Sequence, residues 1–223
     1  MANLFSSSIG RKLVMSISGC FLVLFLLFHL SMNIVVIFSA EAYNKICEFL
    51  GANWYALVGT LVLAAGVALH VIYASWLTLQ NRYARGTKRY AVVNSKPGVT
   101  WASRNMYILG LVIVLGLLLH LTNFWANMQL AEIMGTPSAN GAALIATIFS
   151  DPIYCIVYLV WLTAIWFHLT HGLWSMFQTT GWGNKTWYPR LKTGANIVAT
   201  VMMLAFAAVV VVFYLRSIGV TIF

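Results

Sequence analysis

The chain has 223 residues, 61% hydrophobic and only 8% charged, with a mean hydropathy of +0.87. A soluble domain carries about 25% charged residues. A water-soluble globule is therefore excluded, and so are a disordered chain, a collagen, a coiled coil and a small disulfide scaffold. The net charge of +9 would point toward nucleic acid in a soluble protein, but in a membrane protein it more often reports the positive-inside rule.

Taken in chain order, Arg11 and Lys12 precede a first apolar run at 13–38. It is longer than the h-region of a signal peptide, so the Ala-x-Ala pattern at Ala40 and Ala42 reads as part of an uncleaved signal anchor. Glu41, Lys45 and Glu48 follow it. A second run covers 54–80, and a connection carrying Arg82, Arg85, Lys88, Arg89, Lys96 and Arg104 leads to a third at 106–130. Glu132, a turn-forming stretch at 135–138 and Asp151 separate this from a fourth run at 153–178. Lys185, Arg190 and Lys192 precede the fifth run, 195–215, and Arg216 follows it.

None of the five runs contains Asp, Glu, Lys or Arg. Each meets the about 20 residues that a spanning helix needs, and backbone in hydrocarbon must satisfy its own hydrogen bonds, so the runs are helices. The expectation is an all-α integral membrane protein: a single membrane domain over 1–223, built as a five-transmembrane-helix bundle. All basic residues except Lys45 and Arg216 then fall on one side, and every acid falls on the other. That asymmetry puts the N-terminus inside and the C-terminus outside, and makes a nucleic-acid partner unnecessary. The basic 82–104 connection reads either as a contact with anionic lipid or as a docking surface for an inner-side protein.

All five histidines, His29, His70, His120, His168 and His171, lie inside the runs. An ionisable side chain in a span is a functional hypothesis by default, although a helix–helix hydrogen bond accounts for any single one. Four helices each carry a histidine, with no intramembrane carboxylate or lysine beside it. A zinc site would add Asp, Glu or Cys, and a proton or ion pathway would add Asp or Glu. Paired neutral imidazoles between apolar walls suit haem iron. Cys20, Cys47 and Cys155 are scattered, and without a Cys-x-x-Cys-His the haem is not covalently attached, which makes it b-type.

Depth orders the histidines. His29 lies 17 residues after Lys12 and 12 before Glu41, and His120 lies 16 after Arg104 and 12 before Glu132. His70 and His168 show the opposite offsets, nearer the inner flanks. The reading is two haems, the outer held by His29 and His120 and the inner by His70 and His168, about five residues or on the order of 8 Å apart in depth. Gly66, Gly116 and Ala164 each precede a proposed ligand by four and leave clearance on the same helix face, while Phe25 before His29 breaks the pattern. His171 is one turn from His168, and spacing alone leaves either as the ligand. Trp161, Trp166 and Trp174 read as walls of a haem or quinone pocket or as core packing.

The stretch Phe167-His168-Leu169-Thr170-His171-Gly172-Leu173-Trp174-Ser175, with His29-Leu30, Glu41-Ala42-Tyr43-Asn44, His70 with Tyr73, and His120 with Trp125, resembles the single-chain, di-haem cytochrome b558 membrane anchor of succinate dehydrogenases and quinol:fumarate reductases. The resemblance covers nearly the whole chain. It implies a flavoprotein subunit and an iron–sulfur subunit on the cytoplasmic side of a bacterial inner membrane. Electrons would pass through two haem b groups to or from a quinone, with menaquinone as the usual partner. The chain would be the quinone-reactive electron-transfer subunit of an oxidoreductase, part of a respiratory chain and of the tricarboxylic acid cycle, with no dicarboxylate chemistry of its own. The resemblance favours His168 over His171 as the ligand and leaves His171, Glu41 and Glu48 as second-shell or quinone-linked candidates. Where some fumarate reductases carry a glutamate two residues before this ligand, the chain has Trp166, so that proton route is in doubt. A hydrogenase or formate dehydrogenase anchor is the alternative within the same chemistry. A histidine-lined transporter is the alternative from another class, although Pro97, Pro137, Pro152 and Pro189 all lie outside the runs, which read as continuous.

Overall fold

In a computed structural model, residues 7–51, 53–86, 100–182 and 184–222 are described. Lys88, Arg89 and Lys96 of the basic connection lie outside them. The described residues form helices and no strand. The elements are α1 (Ser8–Asn33), α2 (Val35–Phe38), α3 (Ala40–Phe49), α4 (Trp54–Arg85), α5 (Trp101–Arg104), α6 (Met106–His120), a π-helical segment (Leu121–Leu130), α7 (Ala131–Ile133), α8 (Gly141–Ile148), α9 (Pro152–Thr179) and α10 (Trp187–Ser217). Five helical stretches are long and apolar enough to cross a membrane, at Ile9–Phe38, Trp54–Ala84, Met106–Ile133, Pro152–Gln178 and Trp187–Ser217.

Several of those stretches extend past the apolar runs. α10 begins at Trp187 rather than 195, with Pro189 in its first turn, where the missing N–H would have had no partner. α9 likewise starts on Pro152, and the Asp151 carboxylate accepts the N–H of Ile153 at 2.7 Å. Two stretches are not the uninterrupted α-helices that their composition predicts. At the end of α1, Asn33 Nδ2 donates to the His29 carbonyl at 2.8 Å and Ser31 Oγ to that of Phe28 at 2.7 Å. Such side-chain bonds compete with the backbone ladder, and the chain re-forms as the short helix α2 only after Ile34. After His120 the ladder widens over Leu121–Leu130. There Thr122 Oγ1 donates to the Leu119 carbonyl, and Asn127 Nδ2 to those of Thr122 and Asn123.

α9 is the hub. It packs against α1, α6 and α10, and buries Cys155, Tyr158, Leu162, Ala164, Ile165, Leu169, Leu173 and Trp174. α4 packs on α1 and α6 and buries only Tyr73 among its described hydrophobics. The packing order therefore runs α1, α9, α6, α4 and back to α1. α1 with α6, and α4 with α9, are not among the closely packed pairs, so each of these two pairs faces across a diagonal of a four-helix ring. α10 lies outside the ring, on α9 and α1. Trp166 Nε1 donates to Thr200 Oγ1 at 2.9 Å and pins α10 to α9, so this tryptophan serves packing between helices.

The two ends of the bundle differ in charge. At one, Arg11 Nη1 donates to Gln80 Oε1 at 2.7 Å and joins the start of α1 to the end of α4. Lys192 lies 5.8 Å from the Trp174 ring. At the other end, α3 and α8 cover the helix ends, with Ala142 N–H donating to Asn44 Oδ1 at 3.0 Å. Here Gln129, which is 8% exposed, accepts from Thr60 Oγ1 at 2.8 Å and Trp125 Nε1 at 2.9 Å, and donates to the Gly51 carbonyl at 3.0 Å. A buried polar group left unpaired costs about 1–3 kcal/mol. The Gln129→Leu variant, which strips partners from three such groups at once, is therefore expected to unfold at a clearly lower temperature in detergent than the wild type, as read by circular dichroism.

Candidate histidine-pair centre

The diagonals of the ring are where the histidines meet. His29 of α1 and His120 of α6 have ring centroids 5.8 Å apart, at an interplanar angle of 87°. His70 of α4 and His168 of α9 have centroids 6.4 Å apart, at 71°. An imidazole nitrogen sits about 2.0–2.1 Å from a bound first-row metal, and with about 1.1 Å from nitrogen to ring centre a two-imidazole site places the centroids about 6 Å apart. Both separations match that spacing.

The pairs occupy different levels. Gly19 and Ser18 lie against His70, and His29 is eleven residues further along α1. Trp161 lies 5.7 Å from His120, and His168 is seven residues further along α9. At 1.5 Å per residue these offsets separate the levels by on the order of 10–16 Å. That exceeds the separation of about 8 Å expected from flanking charges.

Ser18 is the hydrogen-bonding neighbour of His70. Ser18 Oγ donates to the Met15 carbonyl at 3.2 Å and lies 3.0 Å from His70 Nδ1. When the hydroxyl proton goes to Met15, the hydroxyl accepts from Nδ1–H, and the lone pair of the neutral ring is then on Nε2. An outer partner that sets the tautomer in this way is the usual companion of a metal-ligating histidine. His120 Nδ1 and His168 Nδ1 are buried with no hydrogen-bond partner. Near His29, Asn33 Nδ2 lies 3.4 Å from Nδ1, and Tyr43 O–H donates to Asn33 Oδ1 at 3.2 Å. Burial, and then the neighbouring Cys47, push the Tyr43 phenol above its ordinary pKa, so it stays a donor.

Aromatic walls enclose the His29–His120 pair. Phe25 stacks on His29 at 5.4 Å and 23°, Phe206 of α10 lies 5.9 Å away, and Phe124 and Trp161 lie 5.1 and 5.7 Å from His120. Phe25, the exception to the pattern of small residues, is thus a wall. Gly66 and Gly116 make room for aromatic side chains. A Cβ at Gly66 would meet the Phe21 ring at 2.5 Å, and one at Gly116 would strike Trp161. Trp161 Nε1 donates to the Ile113 carbonyl at 3.0 Å, and Ala164 packs with Ala102 and Leu109.

The remaining candidates stand apart from the pairs. His171 meets Trp174 edge-on at 5.0 Å, and its buried Nδ1 has no partner. Glu41 pairs with Lys45 at 2.7 Å on the exposed face of α3, and Glu48 is exposed on the same helix. Among the described residues no group of three or more His, Cys, Asp or Glu is placed to hold a metal ion. Sequence reasoning missed Ser18, Gly19 and Phe206. Ser18 carried a signal, as a hydroxyl in an apolar run.

Comparison with protein-family models, curated proteins and solved structures finds no match.

Two outcomes follow from this geometry. In the metal-free protein, the ¹⁵N shifts of His70 are expected to report the Nδ1–H form, and Ser18→Ala to give a tautomer mixture. Gly116→Leu is expected to displace Trp161 and cost about 1–3 kcal/mol, seen as a lower unfolding midpoint.

Proposed function

We propose that this protein is a di-haem b membrane anchor. It would pass electrons between a dehydrogenase on the basic side of the membrane and a quinone within it, as in the succinate dehydrogenase and quinol:fumarate reductase anchors that the sequence resembles. The observation that carries the reading is the pairing of four histidines from four helices across the two diagonals, at metal-ligand spacing and at two levels.

Bound haem would supply one-electron transfer at its iron. The chain supplies the rest. His29 and His120 hold one group, and His70 and His168 the other. Ser18 keeps the His70 Nε2 lone pair aimed at its partner. Phe25, Phe124, Trp161 and Phe206 keep water from the first pair, and burial of this kind is one of the levers on potential. Two levels on the order of 10–16 Å apart cover a large part of a hydrocarbon core about 30 Å thick, which suits charge movement across the membrane.

The excess of basic residues at one end orients that end toward the cytoplasm by the positive-inside rule, in a bacterial inner membrane. There Arg11, Arg82, Arg104, Lys185, Arg190 and Lys192 offer a face to a flavoprotein and an iron–sulfur subunit. Menaquinone is the expected quinone, and His171, Glu41 and Glu48 are candidates to exchange its protons. A hydrogenase or formate dehydrogenase anchor would use the same four histidines. The partner's flavin, as against nickel or molybdenum, separates these.

The test is a redox difference spectrum with a pyridine haemochrome assay on the purified protein. Two b haems per chain are expected. His29→Ala and His120→Ala should abolish the same spectral component, His70→Ala and His168→Ala the other, and His171→Ala neither. Both haems in a His120→Ala protein would overturn the pairing. No haem in a folded preparation would overturn the electron-transfer reading and favour a histidine-lined transporter. A reporter active only outside the cytoplasm is expected to be active when fused after residue 222 and silent when fused within 87–99.

A further inference from the structure

At the end of the bundle opposite the basic one, a groove of about 440 Å³ opens between α2, the start of α3, α8 and the end of α10. Its walls are apolar: Val36 and Ile37 on one side, Ala142, Ala143 and Ala146 on another, and Phe213 beneath. Its polar rim is made of Arg216, Asn44, Asn140 and Ser39. No acidic residue lines it.

The rim has donors to spare. Arg216 Nη2 donates to the carbonyls of Ile37 at 2.8 Å and Ile222 at 3.3 Å. A guanidinium carries five N–H groups, so Nε and Nη1 remain. No carboxylate lies within ion-pair distance of Arg216 among the described residues. The guanidinium lies 5.4 Å over the Phe213 ring, which holds it against the groove wall. Asn44 Oδ1 accepts from Ala142 N–H and Asn140 Oδ1 from Ala143 N–H, each at 3.0 Å. With both oxygens engaged, each amide keeps an NH₂ that bonds to none of the described residues. The groove thus combines one cation and two neutral donors with apolar walls, and among the described residues no carboxylate lines it.

Its position supplies the occupant's second property. Arg216 directly follows the fifth apolar run, and Phe38 at the groove edge is 76% exposed. The groove therefore sits at the boundary between hydrocarbon and headgroups, open on the side where acyl chains lie. We propose that this groove binds the phosphodiester headgroup of an anionic phospholipid, with Arg216 and the Asn44 and Asn140 amides on the phosphate oxygens and one acyl chain along Phe38 and the α8 alanines. Basic pockets between membrane helices recognise lipid headgroups by the same chemistry. The proposal does not depend on the histidine pairs.

The test measures the thermal midpoint of the purified full-length protein in detergent, titrated with dioctanoyl phosphatidylglycerol, dioctanoyl phosphatidylcholine or inorganic phosphate. Saturable stabilisation by phosphatidylglycerol, at concentrations where the other two do nothing, is expected. Arg216→Gln should abolish it. Because that variant also loses two bonds to backbone, Asn140→Asp is the second probe. It retains the oxygen that caps α8 and adds one negative charge at the rim, and it should weaken the phosphatidylglycerol effect about fivefold or more, the effect of one charge at a membrane surface. Equal stabilisation by phosphatidylcholine would mean a groove that reads only acyl chains. Equal stabilisation by phosphate would mean a simple anion site. An unchanged response in Asn140→Asp would remove the rim from the site. Any of the three overturns the proposal.

Discussion

Hydrocarbon offers no hydrogen bonds, so every polar side chain that enters the apolar part of this bundle must find a partner within the chain or in something the chain holds. That constraint organises the structure. Thr60, Trp125 and Gly51 converge on Gln129, Trp166 reaches Thr200, and Trp161 reaches the Ile113 carbonyl. Asn123 donates to the Tyr158 hydroxyl. The histidines are the members of this set whose needs the chain meets only in part. His70 is served at Nδ1 by Ser18, while the Nδ1 atoms of His120, His168 and His171 are left without partners. Four imidazoles thus meet two by two, at 5.8 and 6.4 Å between ring centroids, and are incompletely served by protein.

The helix arrangement follows from how the apolar faces differ. α9 buries a row of residues from Cys155 to Trp174 and takes the hub, whereas α4 buries little and lies at the margin. Because α1 and α6 both pack on α9, they face one another across the ring, and His29 meets His120. Because α1 and α6 both stand between α4 and α9, His70 must reach His168 across the other diagonal. The diagonals of the ring are where the two histidine pairs meet. α10 carries no histidine and closes the outside of the ring. Phe206 is its contribution to the centre.

Side-chain competition with the backbone shapes the end away from the basic residues. Asn33 and Ser31 interrupt the first span one turn after His29, and Thr122 and Asn127 accompany the widened turn just after His120. Both irregularities flank the same histidine pair. π-helical turns recur at functional sites, where an added residue per turn re-aims the side chains that follow. Here the widened segment places Asn123 on Tyr158 and Gln129 on Gly51.

The sequence by itself determined the solvent, the number of spans, the charge asymmetry and the four helices that carry histidines, because these are sums over composition and position that no packing can alter. It also ordered the histidines into two levels, since depth in a membrane helix is counted along the chain. Tertiary structure alone decided that the paired rings approach to 5.8 and 6.4 Å between centroids, and that Ser18 lies against His70 Nδ1. It also decided that Phe21 and Trp161 fill the spaces over Gly66 and Gly116. Each of these depends on the rotation of one helix about its axis relative to another. Helices that are apolar on nearly every face carry almost no periodic signal for that rotation, so only the packing around α9 could set it.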